Sequence, residues 1–201
     1  MQEIHYLVPD QIKGEEKNLE VAKSASDIEE AEDWFVDAKE RLWNVNHWKQ
    51  AGQSTYFHFS LADIYGHLLN RKPRKGDHIR IGKNDSGLVK GEEHDWFIVE
   101  ALEYDDYPDE NRESFAIHLS PVKSLLISGL NTTPEAVDLF TITLVIERDH
   151  RILKTLYHGR NEFGHLEKAA EEAKIEKDNS SWPGLKDDDW QRLLKWFMDG
   201  K

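Results

Sequence analysis

Between Ser26 and Gln53 the apolar residues fall where a helix resting on an apolar surface would use them. Ile28, Ala31, Phe35, Ala38, Leu42 and Val45 recur at alternating three- and four-residue intervals, one face of a 3.6-residue period. Trp34 widens that stripe. Ser26 and Glu29 have the spacing of a capping box, and Asp27, Glu29 and Glu30 suit the positive end of the helix dipole. Past Val45 the stripe loosens, and Ala51, Gly52 and Gln53 provide the exit toward Thr55. The outer face is too polar to cross a membrane. The remainder of the chain must therefore supply the surface on which this helix lies.

Period-two alternation supplies it. Phe57, Phe59 and Leu61 alternate with Tyr56, His58 and Ser60, and Ile79 and Ile81 repeat the pattern after a turn at Pro73, Gly76 and Asp77. From Trp96 to Tyr104, the side carrying Trp96, Ile98, Leu102 and Tyr104 opposes Phe97, Val99 and Ala101. Phe115, Ile117 and Leu119 alternate with Ala116, His118 and Ser120 across an acidic turn, which predicts a hairpin. Residues 139–147 and 151–158 form a second hairpin through Arg148, Asp149 and His150. At the N-terminus, Ile4 to Val8 reads as a first strand ended by Pro9, and Asp10 to Lys23 as a connection.

After Glu162 the period changes. Leu166, Ala169, Ala170 and Ala173 predict a short helix, residues 177–186 a linker, and Asp187 to Met198 a last helix striped by Trp190, Leu193, Leu194 and Phe197. Trp196 sits off that stripe. A further helical turn is expected at Glu135 to Asp138, and an apolar connection over residues 122–130.

The expected fold is α+β: a mostly antiparallel curved sheet or small barrel of about six to seven strands, one long N-terminal helix packed on it and two short C-terminal helices. Residues 1–164 form the core domain, and residues 165–201 a helical appendage packed on the core or on a partner. This element order is similar to a helix-grip architecture, in which a curved sheet and a helix enclose a cavity, as in the START-like lipid-binding superfamily. A closed small barrel fits the strand count equally, and the similarity is one of element order without a motif.

Composition removes several functions. A net charge of −13 over 201 residues opposes binding to a nucleic-acid backbone, and the crowded Arg71, Lys72, Arg74 and Lys75 read as a solvated loop. The absence of cysteine excludes disulfides, thiolate catalysis and cysteine-ligated metal sites. No segment has the pattern of a membrane span, and the start MQEIHYLVPD lacks the pattern of a leader, so a cytoplasmic location is expected. No cofactor motif is present. The glycine-bearing loop from Gly82 to Gly91 has neither phosphate-cradle pattern, and Asp105, Asp106, Asp109 and Glu110 lack the spacing of an EF-hand.

Among the ten histidines, His58, His78 and His118 fall on the polar phase of their strands and would suit a borderline metal if the rings converged; no HExxH or HxH spacing supports that, and solvated rings are the simpler reading. Gly159 to Glu162 offers a second constellation. Arg160 could fork onto a carboxylate or phosphate with Glu162 as a base, or the two could pair locally at a strand end. Seven tryptophans are the remaining signal: large rings fill a core or line an apolar pocket. Trp43, Trp48 and Trp96, with Arg160, are the ligand-binding candidates, and Trp190 and Trp196 suit docking or contact between subunits.

Three functional readings follow. The first is a non-enzymatic soluble domain that binds a small apolar or aromatic ligand or a protein partner. The second is an enzyme assembled from His58, His118, Arg160 and Glu162. The third is an assembly protein using its last helix.

Overall fold

The structure, a computed structural model, describes residues 4–51, 57–83, 94–122, 139–162 and 185–200. Among the described residues the sheet has seven strands: β1 (Glu15–Ser24), β2 (Phe57–Ala62), β3 (His78–Lys83), β4 (His94–Tyr107), β5 (Arg112–Pro121), β6 (Thr141–Asp149) and β7 (Ile152–Glu162). Their order is β1-β7-β6-β5-β4-β3-β2, antiparallel throughout. β1 and β2 lie at opposite edges, so the sheet is open and the barrel alternative is not what forms. The helices are α1 (Ile28–Leu42) and α2 (Asp187–Asp199). The expected turn at 135–138, the 122–130 connection beyond Val122, most of the Gly82–Gly91 loop, the helix at 166–173 and the linker before Leu185 lie outside the described residues.

α1 follows the predicted stripe: Ala31, Phe35, Ala38 and Leu42 are fully buried. Its start differs. Asp27, not Ser26, is the N-cap, accepting from the Glu30 amide at 2.9 Å. Glu30, not Glu29, reaches back to the Ser26 amide at 2.7 Å, and Ile28 is exposed. The cap is thus displaced by one residue, because aspartate at this position caps as well as serine, and Glu30 serves the amide before the N-cap rather than closing a capping box.

The helix is also shorter than the stripe implied. It ends at Trp43, and a 3-10 segment, Val45–Ala51, carries Val45 and Trp48 into the core. The Trp48 indole N–H donates to the carbonyls of Arg41 (3.2 Å) and Leu42 (3.1 Å), so a side chain satisfies carbonyls that an ending helix leaves free.

Helices cover one face of the sheet. A cross-strand row of Leu19, Tyr157, Leu144, Ile117 and Leu102 runs through five strands on that face. Phe97, Ile79 and Leu61 continue the apolar surface toward β2. β4 serves both halves by means of a bulge between Val99 and Ala101. Before it Phe97 and Val99 point to the core; after it Leu102 and Tyr104 do. The expected grouping of Trp96 and Ile98 with Leu102 and Tyr104 is corrected accordingly, since an extra residue reverses the side-chain phase.

Two N-terminal expectations are also corrected. Ile4–Leu7 is a 3-10 turn, not a strand: Ile4 is buried against Ala116, Val145 and Leu156 on the face away from the helices. Residues 15–24, read as a connection, are β1.

α2 is part of the same apolar core. Trp190, Leu193, Leu194, Trp196, Phe197 and Met198 are all buried, and the helix packs on β1 and β7 as well as on α1 and the Val45–Ala51 segment. Contact with two surfaces is what the off-stripe Trp196 implied. Three aspartates open the helix, and Gly200, at φ +70°, ends it in a left-handed conformation. No described helix is long and apolar enough to cross a membrane.

Candidate binding groove

Where the C-terminal end of α2 meets α1, three segments enclose a surface groove of about 550 Å³. Trp34, Asp37 and Arg41 face it from α1, at helical spacings that align them on one side. Lys195, Met198 and Asp199 come from α2, and Lys23 from the end of β1.

The two helices are held in this relation by cations at the negative end of α2. Arg41 donates through Nη1 to the carbonyl of Met198 at 3.3 Å and also to that of Phe197. Lys23 Nζ lies 3.3 Å from both the Met198 carbonyl and the Asp199 carboxylate. Both interactions oppose the α2 dipole favourably. Lys23 Nζ also sits 3.8 Å from the centroid of Trp34, in cation–π geometry. The groove therefore offers an aromatic face, an apolar wall at Met198, and three cations against two carboxylates. Its volume falls in the range of small-ligand sites.

The tryptophans expected to line a pocket lie elsewhere. Trp48 is 1% exposed, edge-on to Phe59 and Phe197 at centroid separations of 5.3 and 5.5 Å. It belongs to the core. Trp43 is half-buried between the Phe115 ring (5.3 Å) and the Lys72 ammonium (4.2 Å). Trp96 is half-buried on the opposite face of the sheet. Trp190 packs at a tilt on Tyr157 at 4.6 Å and Trp196 packs beside Phe197, so the docking expected of this pair occurs within the chain.

Arg160 and Glu162 are not brought together. Arg160 points away from the helices, where it donates to Asn18 Oδ1 (2.9 Å) and the Gly159 carbonyl (2.9 Å) and meets Glu16 (3.3 Å). Between them Asn161, at φ +55°, turns the backbone and accepts from the amides of Ile12 (2.7 Å) and Lys13 (3.0 Å). Glu162 thereby faces the core side, accepting from the Tyr157 hydroxyl at 2.6 Å and pairing with Lys17 at 2.9 Å. Lys17 also reaches Asp187 at 2.8 Å. Burial, then the Glu162 charge, pushes the Tyr157 phenol well above its usual value; at Lys17 the hydrogen bonds to Asp187 and Glu162 overcome a larger opposing effect of burial and raise its pKa. Both groups hold their protons at neutral pH. That suits a clasp between β1, β7 and α2 better than a nucleophile or base.

His58, His78 and His118 share the face away from the helices, as the alternation predicted, but the register separates them. His58 pairs with Gly82 and His78 with Ala62, at opposite ends of one ladder, while His118 lies on β5 between Ala101 and Thr143. Among the described residues no group of three potential ligands is close enough to hold a metal ion.

His118 Nδ1 lies 2.9 Å from Thr143 Oγ1, and burial lowers the pKa of the ring. Below about pH 6.5 the unfolded chain takes up a proton that the folded ring resists. Stability is therefore full above that pH and declines as the pH falls toward the depressed folded value. Urea midpoints measured down a pH series are expected to fall less steeply for His118→Gln than for the wild type; parallel curves would mean the ring titrates normally.

Lys23, Arg41 and Met198 were not singled out as a site in the sequence, and Trp34 was weighed there only as one of the tryptophans that could fill a core or line a pocket. The available signal was Trp34, one position off the centre of the α1 stripe and half-buried as a result.

No family model matches the chain, and no curated protein matches it. Among solved structures, it is similar to major latex-like protein 151 from Panax ginseng, at 8% identity over 90% of this chain and 92% of that one, with a TM-score of 0.36. It is also similar to truncated norcoclaurine synthase from Thalictrum flavum, at 12% identity over 96% of this chain and 100% of that one, with a TM-score of 0.36. A point mutant of norcoclaurine synthase in complex with a transition state analogue gives 12% identity, coverages of 94% and 99%, and a TM-score of 0.38. Likeness at this level carries no argument about what this chain binds.

Proposed function

We propose that the protein is a non-enzymatic binding domain that holds a small aromatic acid in the groove between α1 and α2. The observation behind this reading is the groove itself: a volume of about 550 Å³ with the Trp34 indole on one side and Met198 on the other. Lys23 covers the indole at 3.8 Å. A planar ligand would draw Lys23 off the ring, stack in its place, and keep the ammonium as the partner of its carboxylate. Lys195, exposed at the rim, adds a second positive charge. The exchange replaces one cation–π contact by an aromatic stack, and Lys23, 3.3 Å from Asp199, is then shared between that carboxylate and the ligand's.

Isothermal titration with a naphthalene carboxylate tests it. Trp34→Ala is expected to weaken binding about tenfold, equivalent to about 1.4 kcal/mol, with the circular dichroism spectrum unchanged. Because Trp34 is only half-buried, the variant should fold. Equal affinity in wild type and variant, or no saturable heat with the wild type, would dispose of the groove as the site.

A further inference from the structure

Among the described residues, the face of the sheet away from the helices carries an arginine, Arg80, whose Nε has no hydrogen-bond partner. His78 and Arg80 are two residues apart on β3 and so project to the same side, away from the helices. Arg80 lies in a cross-strand row between Ser60 of β2 and Trp96 of β4. It is half-buried, and its Nε is shielded from solvent with no hydrogen-bond partner. Among the described residues no carboxylate or carbonyl meets its guanidinium. His78, 9% exposed, has a buried Nδ1 that is likewise unmatched, and its ring meets Trp96 edge-on at 6.4 Å.

The two buried arginines among the described residues show how this chain otherwise treats such a group. Arg148 is paired with Glu113 at 2.6 Å, and Arg160 with Glu16 and Asn18. Acidic residues outnumber Lys and Arg by 39 to 26, so carboxylates are not scarce. A shielded guanidinium N–H and a shielded imidazole nitrogen, two residues apart on one strand face and both unmatched among the described residues, are each unfavourable until a partner arrives; an anion suits both when the imidazole proton is on Nδ1.

The turn at Asp63–Leu69 folds over Trp96: a Cβ on Gly66 would stand 3.6 Å from the indole. Asp63 holds that turn by accepting from the amides of Tyr65 and His67, both at 2.9 Å. Its carboxylate is thereby committed within its own loop.

We propose that Arg80 and His78 form an oxyanion site, with Ser60 beside it and Trp96 as its apolar flank, which takes the phosphate or carboxylate group of a small ligand. The guanidinium supplies parallel N–H donors to two oxygens, and the imidazole supplies a third contact. This site is on the other face of the sheet from the α1–α2 groove and stands or falls separately from it.

The test follows the Arg80 Nε–Hε resonance of the full chain by NMR while inorganic phosphate, acetate or phenyl phosphate is added at constant ionic strength. A saturable shift is expected with phosphate or with acetate, and whichever of these two binds tighter identifies the group. Phenyl phosphate is expected to bind several-fold tighter than phosphate, with Trp96→Leu removing that gain. In parallel, the preferred anion should raise the thermal midpoint of the wild type and leave that of Arg80→Gln unmoved. No saturable shift with any of the three probes, or an equal midpoint rise in Arg80→Gln, overturns the proposal. Should Arg80→Gln not fold, Arg80→Lys keeps the charge without the fork and is expected to lose most of the affinity; unchanged affinity in that variant overturns the proposal as well.

Discussion

Replacing Arg148 by alanine is expected to destabilise the protein by about 3–5 kcal/mol, the usual consequence of removing one partner from a buried ion pair. Arg148 is 3% exposed, and its Nε donates to Glu113 at 2.6 Å. Its Nη1 donates to the carbonyls of Asn111 (3.0 Å) and His150 (3.3 Å). Those two residues carry the positive φ angles of the β4–β5 and β6–β7 turns, so one guanidinium laces both hairpins together. Alanine would leave the Glu113 carboxylate without its cation, keeping the Tyr104 hydroxyl as a donor, and would leave both carbonyls short of a donor.

Urea denaturation measures the loss. The double variant Arg148→Met, Glu113→Leu should recover much of it, because removing both charges removes the stranded one. A loss below about 1 kcal/mol in the single variant would indicate that water reaches the pair. Tyr104 gives an independent reading. Burial, then the charges of Glu113 and Asp106, pushes its pKa up to about 12. Its hydroxyl donates to Glu113 at 3.2 Å, so Glu113→Gln is expected to bring the phenol back toward its usual value in an ultraviolet pH titration.

Trp48→Ala is expected to cost about as much, roughly 3–5 kcal/mol. The residue fills the junction of α1, β2 and α2 against Phe59 and Phe197, and its indole N–H serves the last carbonyls of α1. Trp48→Phe separates the contributions: most of the packing stays and the hydrogen bond goes, with an expected loss of about 1–2 kcal/mol. Thermal and urea unfolding would resolve the two variants. Similar losses in both would assign the stability of this junction to the hydrogen bond alone.

The strands that alternate cleanly were legible because one face meets helices and the other does not. β1 was not, for a physical reason. Its core-side positions are Lys17, Leu19, Val21 and Lys23, and the two lysines belong there because they reach Glu162, Asp187 and Asp199 at the ends of the strand. With apolar residues at only two positions, period-two alternation is almost invisible. The β4 bulge defeated pattern reading differently, since one inserted residue looks the same in sequence as an unbroken strand.

The groove escaped notice because its parts are remote: Lys23 and Met198 are 175 positions apart. Trp34 shows no chemistry until Lys23 is laid over it. At the other candidate sites the residue types were informative and their partners were not. Nothing in the order Gly159 to Glu162 says that Asn161 will turn the backbone so that Arg160 and Glu162 leave on different faces.

The place of β1 in the sheet bears on how the chain comes to be made. Among the described strands it is made first, and its partner there is the one made last, residues 152–162. Until those residues are made, β1 lacks the partner it has among the described strands, and long-range antiparallel closure of this kind is slow to form. Glu15, Glu16, Lys17, Glu20 and Lys23 give that waiting segment a charge at nearly every turn of its pleat. Charges so placed discourage pairing with a neighbouring nascent chain. The same lysines that hide the strand from pattern reading thus help keep it single until β7 arrives.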